Sequence, residues 1–316
     1  MMDFQTKVPI DRQMPAITYD AKTVLLGSCF VTHIGAKMGY YQFQNLVNPF
    51  GIIFNPYSIA LLVERAINKR LFTADDLFFA NGRWHGYELH SDCSRTDRDI
   101  AIKSANKGVL KLRKDITEAS HLVITLGTSW VYSLKESGSV VANCHKQPQV
   151  LFEKTLLDVA TVRAQLEKID ALVKSVNPDC AIIATVSPVR HLRDGMVENQ
   201  RSKAHLLTAL HEVIDTTAKW HYFPSYEILM DELRDYRFYA DDMLHPSNVA
   251  INVVWERFSN AWIAEDAFDV MKRVERVRRA QQHKPFDPDG EAHRNFLKKL
   301  EEDINALTTE FPHMEF

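Results

Sequence analysis

A serine near the amino terminus lies where an apolar segment meets a helical pattern. The apolar run at residues 24–26 is typical of a buried strand, and Gly27 and Ser28 follow it directly. Apolar residues at helical spacing begin at Phe30. The N–H groups at a helix start are unpaired and favour a developing oxyanion. Ser28 is therefore a candidate nucleophile, although a serine in this position is also a common helix N-cap.

A carboxylate and an imidazole lie close together far along the chain. Asp242 precedes His245 by three residues, in a loop-like stretch before an apolar-periodic segment at residues 249–262. General-base catalysis on a serine needs an imidazole whose second nitrogen is held by a carboxylate. Asp242 and His245 fit that need. The alternative is a solvated pair, with Pro246 and Ser247 starting the next helix.

Two other groups of residues could support different chemistry. Cys29 could be the nucleophile of a thiol enzyme, because a helix amino terminus favours thiolate. Adjacent side chains seldom share a pocket, so a Ser28 that faces the cleft predicts that Cys29 packs inward. His85, His90 and Cys93 have a spacing that could ligate zinc, but no fourth ligand is evident in the sequence.

Several distinctive blocks occur in order along the chain. They are Gly27-Ser28-Cys29-Phe30, Asn48-Pro49-Phe50-Gly51-Ile52-Ile53-Phe54-Asn55-Pro56, Thr125-Leu126-Gly127-Thr128-Ser129-Trp130-Val131-Tyr132, Asn143-Cys144-His145-Lys146, Val186-Ser187-Pro188-Val189-Arg190-His191, and Asp242 with His245. Together they resemble the GSCFA domain family, a branch related to the SGNH or GDSL-like hydrolases. The resemblance covers about residues 22–262, and several blocks in order are more specific than one short motif.

The resemblance implies a fold and a set of catalytic roles. It implies a three-layer α/β/α hydrolase fold with a mostly parallel sheet. Ser28 would attack, His245 would take its proton, and Asp242 would orient His245. The roles agree with those expected from the residue types alone.

The resemblance also implies an oxyanion hole. In the wider superfamily, a glycine of the second block and an asparagine of the third join the N–H of the nucleophile, here Ser28. Gly51 matches the glycine, but the third block has no asparagine, so Thr128 or Ser129 would have to replace it. Losing one such donor costs about 3 kcal/mol of transition-state stabilisation. Possible pocket residues are Cys29, His145, Arg190 and His191.

Composition is that of a soluble globular protein. The 316 residues are 46% hydrophobic and 25% charged, and the net charge of −3 does not suggest a nucleic-acid partner. The start of the sequence has no signal-peptide pattern, and no apolar stretch reaches membrane-spanning length, which favours a cytoplasmic protein. The four cysteines are scattered, as expected for reduced thiols.

Alternating patterns predict an α/β domain. We expect strands at residues 24–26, 40–47, 121–126 and 181–186, and helices at 97–118, 155–176 and 198–220. Hairpins are predicted around Asn81-Gly82 and within 132–144, where they could wall a cleft. The predicted domain covers residues 1–262, with a helical extension at 263–316. That extension could pack on the domain or support a homo-oligomer, and a membrane-surface or acidic-partner role is the alternative.

These observations predict a serine-dependent ester hydrolase that needs no bound cofactor or metal. Its expected substrate is a small molecule or glycan carrying small O-acyl groups, such as acetyl esters of a sugar. An O-acyltransferase with the same site is the first alternative, because an acyl-enzyme can react with a sugar hydroxyl instead of water. A non-catalytic carbohydrate-binding module is the second.

Overall fold

The computed structural model describes residues 6–316 of the chain. Its strands are β1 (Lys22–Gly27), β2 (Asn45–Val47), β3 (Leu77–Ala80), β4 (Arg83–Gly86), β5 (Ala119–Leu126), β6 (Trp130–Leu134), β7 (Val140–Val141), β8 (Phe152–Leu156), β9 (Ala181–Val186) and β10 (Trp220–Tyr222). Its helices are α1 (Cys29–Tyr40), α2 (Pro56–Ile67), α3 (Arg98–Glu118), α4 (Val159–Lys174), α5 (Met196–Thr216), α6 (Ser225–Glu227), α7 (Asn248–Trp262), α8 (Ala267–Gln281) and α9 (Glu291–Glu310).

The helices that flank the sheet begin at residues suited to capping. Asn55 accepts a hydrogen bond from the N–H of Ser58 at the start of α2, and Pro56 follows at the first helical position. Asp97 and Asp158 cap α3 and α4 in the same way. Each side chain satisfies an N–H that has no partner within its helix. Local sequence therefore fixes where these helices start.

The central sheet is parallel and has the order β10-β9-β5-β1-β2 within residues 6–316. From β1 the chain first adds β2 on one side, and the later strands β5, β9 and β10 then follow on the other side. The strand order therefore changes direction between β1 and β5. Open α/β sheets bind ligands at such a switch point, beyond the carboxyl ends of the strands. Residues that follow β1 and β5 are therefore placed at the expected ligand site.

The sheet is covered on both faces, which gives the predicted three-layer α/β/α architecture. Val24 and Leu26 of β1 belong to an apolar cluster formed with α2, α3, α4 and α5. Leu25 points the other way, into a cluster formed with α1, α7 and α8. Consecutive residues of a strand face opposite sides, so a strand buried on both sides is apolar throughout.

Two small antiparallel sheets extend from this core. Strands β3 and β4 form the hairpin predicted around Asn81 and Gly82, where both residues have positive φ. The predicted hairpin at residues 132–144 corresponds to β6 and β7, and β8 pairs with the other edge of β6.

Three predicted boundaries are wrong, because strand pairing, a turn or the end of another helix replaces part of the predicted element. Thr155 pairs with β6, so the helix predicted from that residue begins only at Val159. The helix predicted to reach Trp220 ends at Thr216, and a turn with positive φ at Lys219 leads into β10. The strand predicted at residues 40–47 is shorter, because Tyr40 ends α1 and only Asn45–Val47 pairs with β1.

The C-terminal helices pack on the α1 side of the sheet. Val274 and Val277 of α8 and Leu307 of α9 are buried in the same apolar cluster as Leu25. An ion pair between Arg273 and Glu310 joins α8 to the end of α9. The predicted extension thus contributes to the core of the chain. No helix in residues 6–316 combines the length and apolar character that crossing a bilayer requires.

Candidate active site

Ser28 occupies the turn between β1 and α1. Its backbone is extended, and its Oγ accepts a hydrogen bond from the N–H of Phe30 at 3.3 Å, so it is the N-cap of α1. Gly27 has φ of +134°, and a Cβ there would lie 2.2 Å from the carbonyl oxygen of Thr125. Only glycine fits this close approach of backbone to backbone. The turn thus presents Ser28 beyond the carboxyl end of β1.

Asn48 fixes this turn. It is the first residue of the second sequence block, and no role of its own was predicted for it from sequence. Its Oδ1 accepts from the N–H of Gly27 at 2.9 Å, and its Nδ2 donates to the carbonyl of Gly27 at 3.2 Å. The side-chain amide of Asn48 thus forms hydrogen bonds with both the N–H and the carbonyl of Gly27. Asn48 therefore holds the residue that precedes Ser28.

Asp242 and His245 lie on one loop closed by an antiparallel bridge between Tyr239 and Pro246. Asp242 Oδ2 lies 2.6 Å from His245 Nδ1, and Oδ1 accepts from the N–H groups of Leu244 and His245, each at 2.9 Å. These N–H bonds and the imidazole lower the pKa of Asp242 to about 2. Asp242 is therefore a carboxylate at neutral pH, and it fixes both the loop and the ring.

Ser28 and His245 line one cavity of about 600 Å³. Ser28 is 4% exposed, whereas the side chain of His245 is 48% exposed. The described geometry has no hydrogen bond between the two side chains. The rest of the cavity wall includes Cys29, Phe54, Thr128, Trp130, Tyr132, Val141, Arg190, His191 and Arg193. Strands β6 and β7 supply part of this wall, as the sequence predicted for the second hairpin.

Two of the predicted oxyanion donors are already bonded elsewhere. The N–H of Ser28 donates to the carbonyl of Thr125 at 3.1 Å, and the N–H of Gly51 donates to that of Asn48 at 2.8 Å. Gly51 also lines a different, much smaller cavity. With φ of +80° and a virtual Cβ 2.3 Å from His90, it is a glycine for conformational and steric reasons. The structure therefore does not bring Gly51 to the cavity.

The third block is bound to α5. Ser129 is fully buried, and its hydroxyl donates toward Ser202 rather than lining the cavity. Thr128 does line the cavity. Its Oγ1 accepts from the N–H of Trp130 and lies 3.0 Å from Ser202 Oγ. Of the two residues predicted to replace the superfamily asparagine, only Thr128 lines the cavity.

Lys203, which the sequence analysis did not identify, is a buried lysine behind the site. Its Nζ donates to the carbonyls of Gly127 and Ser187, both at 2.6 Å, and so joins the loops that follow β5 and β9. It is 0% exposed, and burial lowers its pKa to about 7. Its burial could have been predicted from sequence, because Lys203 lies on the same helical face as the apolar residues Leu206 and Leu210 of α5.

The possible pocket residues separate into two groups. Cys29, Arg190 and His191 line the cavity, and Cys29 does so beside Ser28 although it was expected to pack inward. Burial raises the pKa of the Cys29 thiol, which disfavours thiolate. Burial lowers the pKa of His191 to about 4, so its ring is neutral. His145 lies elsewhere, buried with its Nε2 2.8 Å from the carbonyl of Gly86.

The suggested zinc spacing does not form a ligand cluster. Both ring nitrogens of His85 lie at hydrogen-bonding distance from other groups, Ser94 Oγ at 2.7 Å and the carbonyl of Ala80 at 3.0 Å. Within residues 6–316, no group of three or more His, Cys, Asp or Glu side chains is arranged to hold a metal ion.

Comparison with protein families assigns the chain. Residues 22–258 match the model of the GSCFA family. The chain belongs to the GSCFA family. Residues 274–316 match a second model, GSCFA domain protein, C-terminal domain, which covers the second half of α8 and all of α9. No curated protein shows significant similarity to this GSCFA protein.

Two carbohydrate esterases are among the similar solved structures. The Clostridium thermocellum family 3 carbohydrate esterase is 8% identical with a TM-score of 0.35, over 81% of this chain and 98% of that protein. A carbohydrate esterase family 3 from Talaromyces cellulolyticus is 7% identical with a TM-score of 0.36, over 80% and 98%.

Proposed function

We propose that this protein is a serine-dependent ester hydrolase that acts through an acyl-enzyme on small O-acyl groups, such as acetyl esters. One observation carries the proposal. Ser28 and His245 line the same cavity, and the imidazole is held at Nδ1 by the carboxylate of Asp242. Nucleophile, base and orienting acid are the three parts that acyl transfer by serine requires.

In the proposed reaction, Ser28 Oγ attacks the ester carbonyl carbon and His245 Nε2 accepts its proton. The tetrahedral intermediate collapses, the alcohol leaves with the proton from His245, and the acyl group stays on Ser28. Water then attacks the acyl-enzyme with the same base and releases the carboxylic acid. Because the side chains of Ser28 and His245 are not hydrogen-bonded to each other in the structure, the imidazole must move toward the hydroxyl when substrate binds.

The proposed oxyanion donors are the N–H of Cys29 and the hydroxyl of Thr128. The Cys29 N–H is the first of α1 and has no carbonyl or hydroxyl acceptor among residues 6–316. Thr128 reaches the cavity from the end of β5. A donor at a helix amino terminus also gains from the helix dipole as negative charge develops.

Labelling with a fluorescent fluorophosphonate tests the proposed function. We expect covalent modification of wild-type protein at Ser28, located by peptide mass mapping, because an activated serine attacks phosphorus as it attacks an ester. Labelling should be lost in Ser28→Ala and slowed in His245→Ala. An intact protein that stays unlabelled at Ser28 under conditions that label a known serine esterase would count against both the hydrolase and the acyltransferase, and would favour a binding module.

Replacing Cys29 with proline tests the proposed N–H donor. Proline is tolerated at the first position of a helix, and the extended backbone of Ser28 is compatible with a following proline. We expect Cys29→Pro to lower kcat by about 100-fold with little change in KM, because an oxyanion donor acts mainly in the transition state.

The matched control for that variant is Cys29→Ala, which removes the same thiol and keeps the N–H. It should retain near wild-type kcat. Equal kcat for the proline and alanine variants would remove the Cys29 N–H from the oxyanion hole. A large loss in Cys29→Ala would instead support a role for the thiol.

A further inference from the structure

The charges on the cavity wall differ from those of the chain as a whole. The full chain has a net charge of −3. The wall contains two arginines, Arg190 and Arg193, and one carboxylate, Asp194. Asp194 is paired with Lys154, whose Nζ lies 2.5 Å from its Oδ1. Both arginine charges therefore remain uncompensated by this carboxylate.

Neither arginine has a carboxylate partner within residues 6–316. Arg190 donates to the neutral Gln200 Oε1 at 2.5 Å and approaches Met230 Sδ at 3.2 Å. Arg193 is exposed and has no ion pair or hydrogen bond in the described part of the chain. A guanidinium has five donors in a planar fork that matches carboxylate and phosphate oxygens. The guanidinium of Arg190 also lies 5.8 Å from the centre of the Tyr226 ring, so its contacts are with neutral groups. Two guanidinium groups that lack a carboxylate partner, on residues that line one cavity, favour the binding of an anion there.

The cavity is also larger than an acetyl group requires. A volume of about 600 Å³ lies in the usual range for sites that hold drug-sized molecules. The rings of Phe54, Trp130 and Tyr132 supply apolar surface on the same wall. These rings can contact the body of an alcohol component while the arginines bind a charged group on it.

We infer that the substrate is an ester whose alcohol part carries a phosphate or other oxyanion group, which Arg190 and Arg193 bind while Ser28 attacks the acyl group. The reaction class rests on the proposed hydrolase function. The anion site can be measured without turnover. Such a site favours anionic esters over neutral acetylated sugars. The charged group of the ester can be a phosphate or a carboxylate.

Binding is tested first, by calorimetry on Ser28→Ala protein. Phenyl phosphate should bind at least about tenfold more tightly than neutral phenol, and benzoate distinguishes carboxylate from phosphate recognition. Adding Arg190→Gln or Arg193→Gln should weaken phenyl phosphate binding about tenfold, because a charge-assisted contact is lost. Arg190→Lys, which keeps the charge but not the fork, should lose less.

Arg201→Gln is the matched control. Arg201 lies on α5, is exposed, pairs with Glu198 and is not on the cavity wall. It should bind phenyl phosphate as the parent does. Equal dissociation constants for the Arg190, Arg193 and Arg201 variants, or phenol binding as tightly as phenyl phosphate, would overturn the inference.

Turnover is tested second, with wild-type protein and two esters that differ only in charge. The kcat/KM for para-acetoxyphenyl phosphate should exceed that for para-acetoxyphenol at least tenfold, and the ratio should approach one in the double Arg190→Gln, Arg193→Gln variant. Arginine-dependent binding without turnover of either ester would reject the hydrolase and leave the anion site. Equal turnover of both esters, unchanged in the double variant, would reject the anion site and leave the hydrolase.

Discussion

Ser28→Ala is expected to reduce ester hydrolysis by about 10⁴-fold or more in kcat, because no acyl-enzyme can form without the hydroxyl. Stability should fall only slightly. The hydroxyl caps α1 through one hydrogen bond to the N–H of Phe30, and the loss of such a cap costs about 1 kcal/mol. The measurements are kcat on a short-chain aryl ester and the melting temperature.

Two variants separate chemistry from capping and from the neighbouring thiol. Asp158→Ala removes the cap of α4, whose carboxylate accepts from the N–H of Thr161 at 2.7 Å, and should lower stability without lowering kcat. Cys29→Ala should keep the activity. If Ser28→Ala keeps wild-type kcat while Cys29→Ala loses it, the nucleophile is the cysteine and the assignment of Ser28 fails.

The arrangement of the proposed catalytic residues could be predicted from sequence where it depends on local geometry. A glycine and a serine between an apolar strand and an amphipathic helix indicate an N-cap at the end of a strand. In this fold that position faces the switch point between β1 and β5. Asp242 and His245 are three residues apart, so one closed loop is enough to bring them together. Short sequence separation made both inferences possible.

The proposed oxyanion donors could not be predicted in the same way, because they depend on which N–H groups remain without a hydrogen-bond partner after folding. The N–H of Gly51 donates to the carbonyl of Asn48. The N–H of Ser28 donates to the carbonyl of Thr125, a residue almost one hundred positions away. Motif position says nothing about such pairings. Each buried N–H must find a partner, and only the packed structure shows which one.

The connection between α5 and the strand ends is a second nonlocal feature. Ser202 accepts from the N–H of Ser129, and Lys203 donates to the carbonyls of Gly127 and Ser187. One turn of α5 thus ties down the loops that follow β5 and β9, close behind Thr128. The position of Lys203 on an apolar stripe predicts burial, but its two acceptors belong to strands that the sequence alone does not align.

Asp242→Asn is expected to lower kcat by about 10³- to 10⁴-fold, even though the new side chain has nearly the same shape. The amide oxygen can keep the hydrogen bonds from the N–H groups of Leu244 and His245, so the loop should hold. Its NH₂ would then face His245 Nδ1 and donate to it. The imidazole proton would have to move to Nε2, where it blocks acceptance of the proton from Ser28.

Asp241→Asn is the control for that prediction, because Asp241 lies beside Asp242 on the same loop and makes no hydrogen bond to His245 in the described geometry. It removes the same charge one residue away, so a general electrostatic effect of the loop would lower kcat equally in both variants. We expect near wild-type kcat from Asp241→Asn. If that variant is the damaged one and Asp242→Asn is active, the orienting carboxylate is Asp241, and the loop must rearrange when substrate binds.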